Sequence, residues 1–282
     1  MYYYLVDNSK RKEFDKIEQK ATEILVSFDI LGEFDFIDNL ADVEDKVKGA
    51  IDKGFSTIVA VGGEVLANKV AINLVNSKIA LGILPLEDSL LVNSLGLGNW
   101  KNSLEILAAR RVLLMDTGVI NNKFFITELL ANQSPDMPPE IKQQSIFSKL
   151  LSSKPKIDED KKNQITVNVR DQYQVEATIS GLVVTNLRPF GNNIESIRQS
   201  MIDECLHLGF SDQLGSGDVL FSLNSNVKEM QSKNISLFHL QEFEIRSEKP
   251  LFFWSNNEVI ARTPAELSVE RKSLKVISGR LR

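Results

Sequence analysis

The 282-residue chain has one cysteine, Cys205. No internal disulfide can form, and no cysteine-based zinc cluster can be assembled. Two histidines, His207 and His239, leave little for a His-rich metal site or a nucleophile–histidine triad. There is no excess of positive charge: 33 Lys plus Arg stand against 38 Asp plus Glu, for a net charge of −5. That balance argues against a nucleic-acid partner, although a small basic patch stays open. Long apolar runs are missing too. Ile79 to Leu86 and Leu251 to Trp254 fall far short of the roughly 20 residues of a membrane helix. Met1 to Asp7 has no basic region followed by a long apolar stretch, so the sequence predicts no secretory leader and a cytoplasmic location. What remains is chemistry run by backbone amides, carboxylates and Asn, or no chemistry.

What is present reads as an ordinary globular protein, 43% apolar and 25% charged. Its length suggests about two domains at roughly 150 residues each. The first half alternates strand and helix. Tyr2 to Val6, Phe34 to Ile37, Phe55 to Val61 and Ile79 to Leu84 read as strands. Between them, apolar residues recur every three or four positions in Lys12 to Val26 (Phe14, Ile17, Ala21, Ile24, Leu25). They recur likewise in Ala41 to Lys53 (Val43, Val47, Ala50, Ile51) and after Gly63 (Leu66, Val70, Leu74), the mark of amphipathic helices. Gly54 stands where a helix end favours positive φ. Near-continuous apolar strands separated by helices predict a parallel α/β sheet.

The second half changes texture. Val112 to Met115 and Lys123 to Thr127 read as short strands joined through Gly118 to Asn122. Ala131 to Asn163 is polar, carries Pro135, Pro138, Pro139 and Pro155, and reads as a connection with one short helix around Ile141 to Leu151. Ile165 to Val169, Gln174 to Thr178 and Gly181 to Thr185 alternate as antiparallel strands do. Glu195 to Leu208 reads as a helix, with Ile197, Met201, Cys205 and Leu208 in phase. Asp218 to Leu223, Ile235 to Arg246, Leu251 to Trp254, Glu258 to Ala261 and Leu274 to Ile277 read as strands. The expectation is an α/β domain over 1–115 and a mainly antiparallel, β-sandwich-like domain over 116–282. It places a linker at about 131–163 and a cleft between the domains, and leaves the last strands free to return to the first domain.

One chemical landmark stands out. Val59-Ala60-Val61-Gly62-Gly63-Glu64-Val65-Leu66 is a strand, two glycines and a helix start. Glycines let a ligand approach the backbone, and a helix N-terminus offers N–H groups to an anion. Ligands of open α/β sheets gather at the C-terminal ends of the strands. The same two glycines also suit a plain tight turn.

In order and spacing, these segments resemble the diacylglycerol kinase and sphingosine kinase group of lipid kinases, more distant kin of the NAD kinases. The family carries Gly-Gly-Asp-Gly-Thr after a strand, then a strand ending in Pro-Leu-Gly-Thr-Gly-Asn. Here the counterparts are Gly62-Gly63-Glu64-Val65-Leu66 and Pro85-Leu86-Glu87-Asp88-Ser89-Leu90, with Ser94-Leu95-Gly96-Leu97 following. Further counterparts are Val112 to Gly118, Asn122 to Ile126 and Gly181 to Asn186. The last are Asn256-Asn257-Glu258, where the family has Asp-Gly-Glu, and Thr263-Pro264-Ala265-Glu266. The resemblance spans most of the chain. It implies a two-domain kinase fold, ATP with Mg2+ if the protein is active, and a nucleotide site at Asn8, Gly62, Gly63, Glu64, Val65, Pro85, Leu86, Glu87 and Glu258.

The departures bear on activity. Glu64 keeps a carboxylate one methylene longer than the family's Asp. Val65 adds a β-branched side chain where backbone should meet phosphate, and Leu66 supplies no hydroxyl. Glu87 and Asp88 set two negative charges where a triphosphate would lie, which is repulsive without a metal between them. They also suit a solvated acidic turn, and no metal site is assigned. Near the amino terminus Asn8 is kept without the family's following Pro. The family's catalytic aspartate opens an Asp-Gly-x-Leu segment. The counterpart Ser216-Gly217-Asp218-Val219-Leu220 puts Ser216 there, and Asp218 takes the role only after a shift of register. A serine is a poor general base at neutral pH.

Other features have a plain reading beside the functional one. Arg110-Arg111 suits phosphate or an exposed strand edge. Lys142, Lys149, Lys154 and Lys156 suit anionic headgroups or a solvated linker. Phe238, Phe243, Phe252, Phe253 and Trp254 suit a lipid groove or a core. Cys205 and His207 read as packing residues on different faces of a helix.

Three functions follow as expectations. The first is a kinase-like binding or regulatory protein with Asp218 and Glu64 as vestigial catalytic groups. The second is an active lipid kinase with unusual loops. The third is a soluble carrier or sensor of a lipid or nucleotide. Peripheral membrane contact is allowed, nucleic acid is not expected, and oligomeric state is left open.

Overall fold

The structure, a computed structural model, describes residues 1–139, 162–170, 172–187, 201–223 and 234–279. The predicted helix around 141–151 and the lysines at 142, 149, 154 and 156 lie outside these residues. The chain divides into two compact units: Met1–Thr117 with Arg271–Arg282, and Gly118–Glu270.

The first unit is a parallel sheet with helices. Strands β1 (Tyr2–Asp7), β2 (Glu33–Ile37), β3 (Thr57–Gly62) and β4 (Ala80–Pro85) lie in the order β2-β1-β3-β4. Every neighbouring pair among them is parallel. Residues 275 and 276, near the end of the chain, add a further parallel strand beside β4 through Lys275↔Ala80 and Val276↔Leu81. β3 and β4 are buried at every position, and β1 at all but its last, which is why they read as continuous apolar runs.

The expected first helix is two pieces, α1 (Arg11–Asp15) and α2 (Glu18–Ser27), on the same stripe of Phe14, Ala21 and Leu25. α3 (Val43–Asp52) follows a 3₁₀ turn whose Ala41 amide donates to the Asn39 side chain. Gly54 has φ 81°. α4 (Glu64–Leu74), α5 (Leu90–Ser94) and α6 (Trp100–Ala109) complete the layer. β5 (Val112–Ile120) leads out of this unit and carries on through Gly118 to Ile120, residues expected to be loop. The turn there is only Asn121-Asn122, with φ of 44° and 64°, the conformation a two-residue hairpin needs.

The second unit is a sandwich of antiparallel strands. One sheet holds β7 (Glu128–Asn132), β10 (Gly181–Thr185), β11 (Leu206–Ser211), β12 (Ser236–Leu240), β14 (Phe252–Ser255) and β15 (Glu258–Arg262), in the order β12-β11-β10-β7-β14-β15. Opposite it, β8 (Asn163–Val169) pairs with β9 (Tyr173–Ile179) and β13 (Glu242–Ser247). β13 pairs with the first part of β16 (Ala265–Ile277). β6 (Lys123–Phe125) is the hairpin partner of β5. Leu129, Leu182, Leu208 and Phe253 from one sheet meet Ile165, Val167, Phe243 and Ile245 from the other in one core.

Three expectations fail here. Ile235 to Arg246 is not one strand but two, β12 and β13, in different sheets. Asp218 to Leu223 is not a strand but part of helix α7 (Ser216–Leu223). Val219, Leu220 and Leu223 fall on one helical stripe and pack over Val183, Leu130 and Trp254 on the outer face of the first sheet. A short apolar run does not distinguish strand from buried helix. Conversely, Leu206 to Leu208 is not the end of a helix but the start of β11. All six residues of β11 are buried, with Leu206, Leu208 and Phe210 turned to the core. Cys205 precedes the strand and His207 lies in it, so their expected placement on helix faces is replaced by a turn and a strand.

Candidate functional site

The Gly62-Gly63 turn stands where three parallel strands end. Gly62 pairs with Pro85, and the Leu86 N–H donates to the Gly62 carbonyl at 3.0 Å. Gly63 is the N-cap of α4 with extended backbone and, lacking a side chain, supplies no cap of its own. Glu64 sits in its first turn, where a carboxylate is favoured by the positive end of the helix dipole. Leu66 is fully buried and belongs to the core, while Val65 is half-buried. The helix start is thus fixed by Leu66, and β1 supplies the opposite wall. A Cβ on Gly62 would stand 2.8 Å from the Asp7 Cβ, so the close approach of β1 requires glycine there. The Asp7 carboxylate is occupied locally, accepting from the Ser9 N–H at 2.9 Å.

The second motif folds back onto the first. The Glu87 carboxylate lies where a Gly63 side chain would begin, with Oε1 2.1 Å from an ideal Cβ position. Its other oxygen, Oε2, is 2.6 Å from Lys10 Nζ. The hydrogen bond to Glu87, and after it the charge of Glu87, raise the Lys10 ammonium above the ordinary lysine value. Ser89 caps α5 by accepting from the Val92 N–H at 3.2 Å. Asn8 donates to Asp38 at the end of β2. Asp7 closes β1, and Asp38, Glu64, Glu87 and Asp88 follow the ends of β2, β3 and β4, with Asn8 and Lys10 after β1. Among the described residues, no group of three or more His, Cys, Asp and Glu is placed to hold a metal ion.

The structure brings Asn8, Gly62, Gly63, Glu64, Val65, Pro85, Leu86 and Glu87 to these strand ends in the first unit. Asp218 and Glu258 belong to the second unit. Asp218 is in the first turn of α7, half-buried, and its carbonyl accepts from Ser222 Oγ at 2.7 Å. Ser216 is committed to structure. Its hydroxyl donates to the Ala131 carbonyl at 2.5 Å and accepts from the Leu182 N–H at 3.0 Å. Glu258 follows the Asn256-Asn257 hairpin turn, whose φ angles of 50° and 63° explain the Asn pair without any ligand. Lys10 is the residue sequence reading missed. Its partner is 77 positions away, so no local pattern marks it.

No family model matches the chain, and no curated protein matches its sequence. Solved structures do match. A diacylglycerol kinase from Bacillus anthracis str. Sterne superposes with TM-score 0.71 at 13% identity, over 99% of this chain and 97% of that one. An NAD kinase from Archaeoglobus fulgidus in complex with ATP gives 0.54 at 11% identity, over 99% and 94%. A yeast NADH kinase complexed with NADH gives 0.51 at 8%, over 99% and 84%. The chain therefore has the two-domain fold shared by diacylglycerol kinases and NAD kinases.

Proposed function

We propose that this protein is a divergent member of that kinase-like class which has given up ATP-dependent phosphoryl transfer and acts as a binding or regulatory protein. The observation that carries this reading is the Glu87 carboxylate in the hollow of Gly63, held by Lys10. A phosphate approaching an uncapped helix start needs bare backbone and positive potential. Here it meets a carboxylate in the hollow and acids on the neighbouring loops. The residues at this turn do not fit the β- and γ-phosphates of ATP, and no catalytic step is assigned to ATP or Mg2+. The Ser216 hydroxyl, braced between two strands, supports the same reading, because its proton is already donated to a backbone carbonyl.

A radiolabelled phosphate-transfer screen with Mg-ATP over diacylglycerol, sphingoid bases and related lipids tests it. The expected result is no transfer. Transfer that disappears in Glu64→Ala would overturn the reading in favour of an active lipid kinase with unusual loops.

A further inference from the structure

β11 and β12 pair with His207 directly opposite His239. Their Nδ1 atoms are 2.5 Å apart, and the rings meet edge to face with centroids 4.7 Å apart. His207 is fully buried and His239 is exposed. Among the described residues, β12 is the end strand of its sheet. At that distance one Nδ1 must carry a hydrogen and the other must accept it. The neutral pair meets this condition, and so does the pair with one extra proton, whichever ring takes it. With a second extra proton both Nδ1 atoms become donors, and two cationic rings face each other.

One acid lies close to the pair, and others stand further off. Asp203, in the turn before β11, places Oδ2 3.9 Å from His207 Nε2, with Glu204 next to it in sequence. On the same row of the sheet, β10 offers the uncharged Thr185 and β7 offers Glu128. α7, over the same face, carries Asp218 in its first turn. Asp203 faces Nε2 of His207, so it does not relieve the Nδ1–Nδ1 conflict of the second proton.

We infer that His207 and His239 form a proton-operated clasp on the end strand β12, closed with at most one extra proton and opened by the second. The other half of β12 is held separately, because Phe238 stacks on Phe210 at 5.6 Å. Opening therefore frays the His239–Leu240 end and leaves the Ser236–Phe238 end paired.

Amide hydrogen exchange on the full chain, corrected for intrinsic rates, reads this directly. Between about pH 7.5 and about pH 5, across the histidine range, protection at whichever of the His239 and Leu240 amides points at β11 should fall about tenfold, the equivalent of one pK unit of linkage. Amides of β1 and β3 should keep theirs. His239→Gln, a neutral change at an exposed position, should remove the pH dependence. Unchanged protection in the wild type, or the same loss in His239→Gln, overturns the clasp. Imidazole ¹⁵N spectra of the wild type give a second reading: two fully protonated rings with β12 protection intact overturn it as well.

Discussion

The Glu87 carboxylate occupies the space that a side chain on Gly63 would fill, with Oε1 2.1 Å from the ideal Cβ. Glycine at this turn thus accommodates a side chain from the next loop.

That relationship predicts the outcome of Gly63→Ala. The Gly63 backbone is extended, so alanine is sterically allowed there, but its methyl must push the carboxylate away from Lys10. Lys10 should then titrate lower than in the wild type, followed by ¹⁵N NMR of its ammonium. A raised lysine contributes stability below its unfolded value and loses it as pH rises through the folded one. The variant should therefore lose the small extra stability near neutral pH that the pair supplies. The pair is half-exposed, so the loss should stay within about 1 kcal/mol. An unchanged Lys10 titration would contradict this contact.

A second prediction concerns acid sensitivity at the β2 edge. Asp35 accepts from Lys46 Nζ at 2.7 Å and from the Tyr3 hydroxyl at 2.8 Å. Burial by itself raises the Asp35 carboxyl, but the bonds from Lys46 and Tyr3 and the Lys46 charge outweigh it and hold it below the ordinary value. A depressed carboxyl stabilises above the unfolded value of about 3.9 and loses that contribution as pH falls through the folded one. Asp35→Asn should be less stable than wild type at pH 6. The difference should shrink toward about pH 2, as measured by urea unfolding at each pH. Since the side chain is 34% exposed, a gap of about 1 kcal/mol or less is expected.

The third prediction separates structure from chemistry at Ser216. Ser216→Ala leaves the buried Leu182 N–H and Ala131 carbonyl without their partner, so it should cost about 2 kcal/mol. Gly181→Ala should cost at least as much. Its Cβ would stand 2.4 Å from backbone atoms of Leu214 and Gly215, which no side-chain rotation relieves. Chemical denaturation of both variants checks the order. A stable Ser216→Ala would show that the hydroxyl is not the brace described.

The alternating order of the first unit was legible because its central strands are buried on both faces, so composition alone marks them. The Gly62-Gly63 turn and Glu87 were legible for a similar reason: glycine pairs and paired acids stand out locally. Lys10 was not, because only the side-by-side placement of β1, β3 and β4 brings it to Glu87. α7 and β11 were exchanged in type because each is short and largely buried. Apolar spacing then reports burial without reporting the period. The His207–His239 pair needed the register of β11 on β12, which no pattern within either strand specifies.

Calorimetric titration of Mg-ATP into the full-length chain tests the central claim most directly. With Glu87 in the Gly63 hollow, no saturable binding is expected up to about 1 mM, weaker than about −4 kcal/mol. A magnesium-dependent, micromolar affinity would contradict the account and restore the turn as a working nucleotide site.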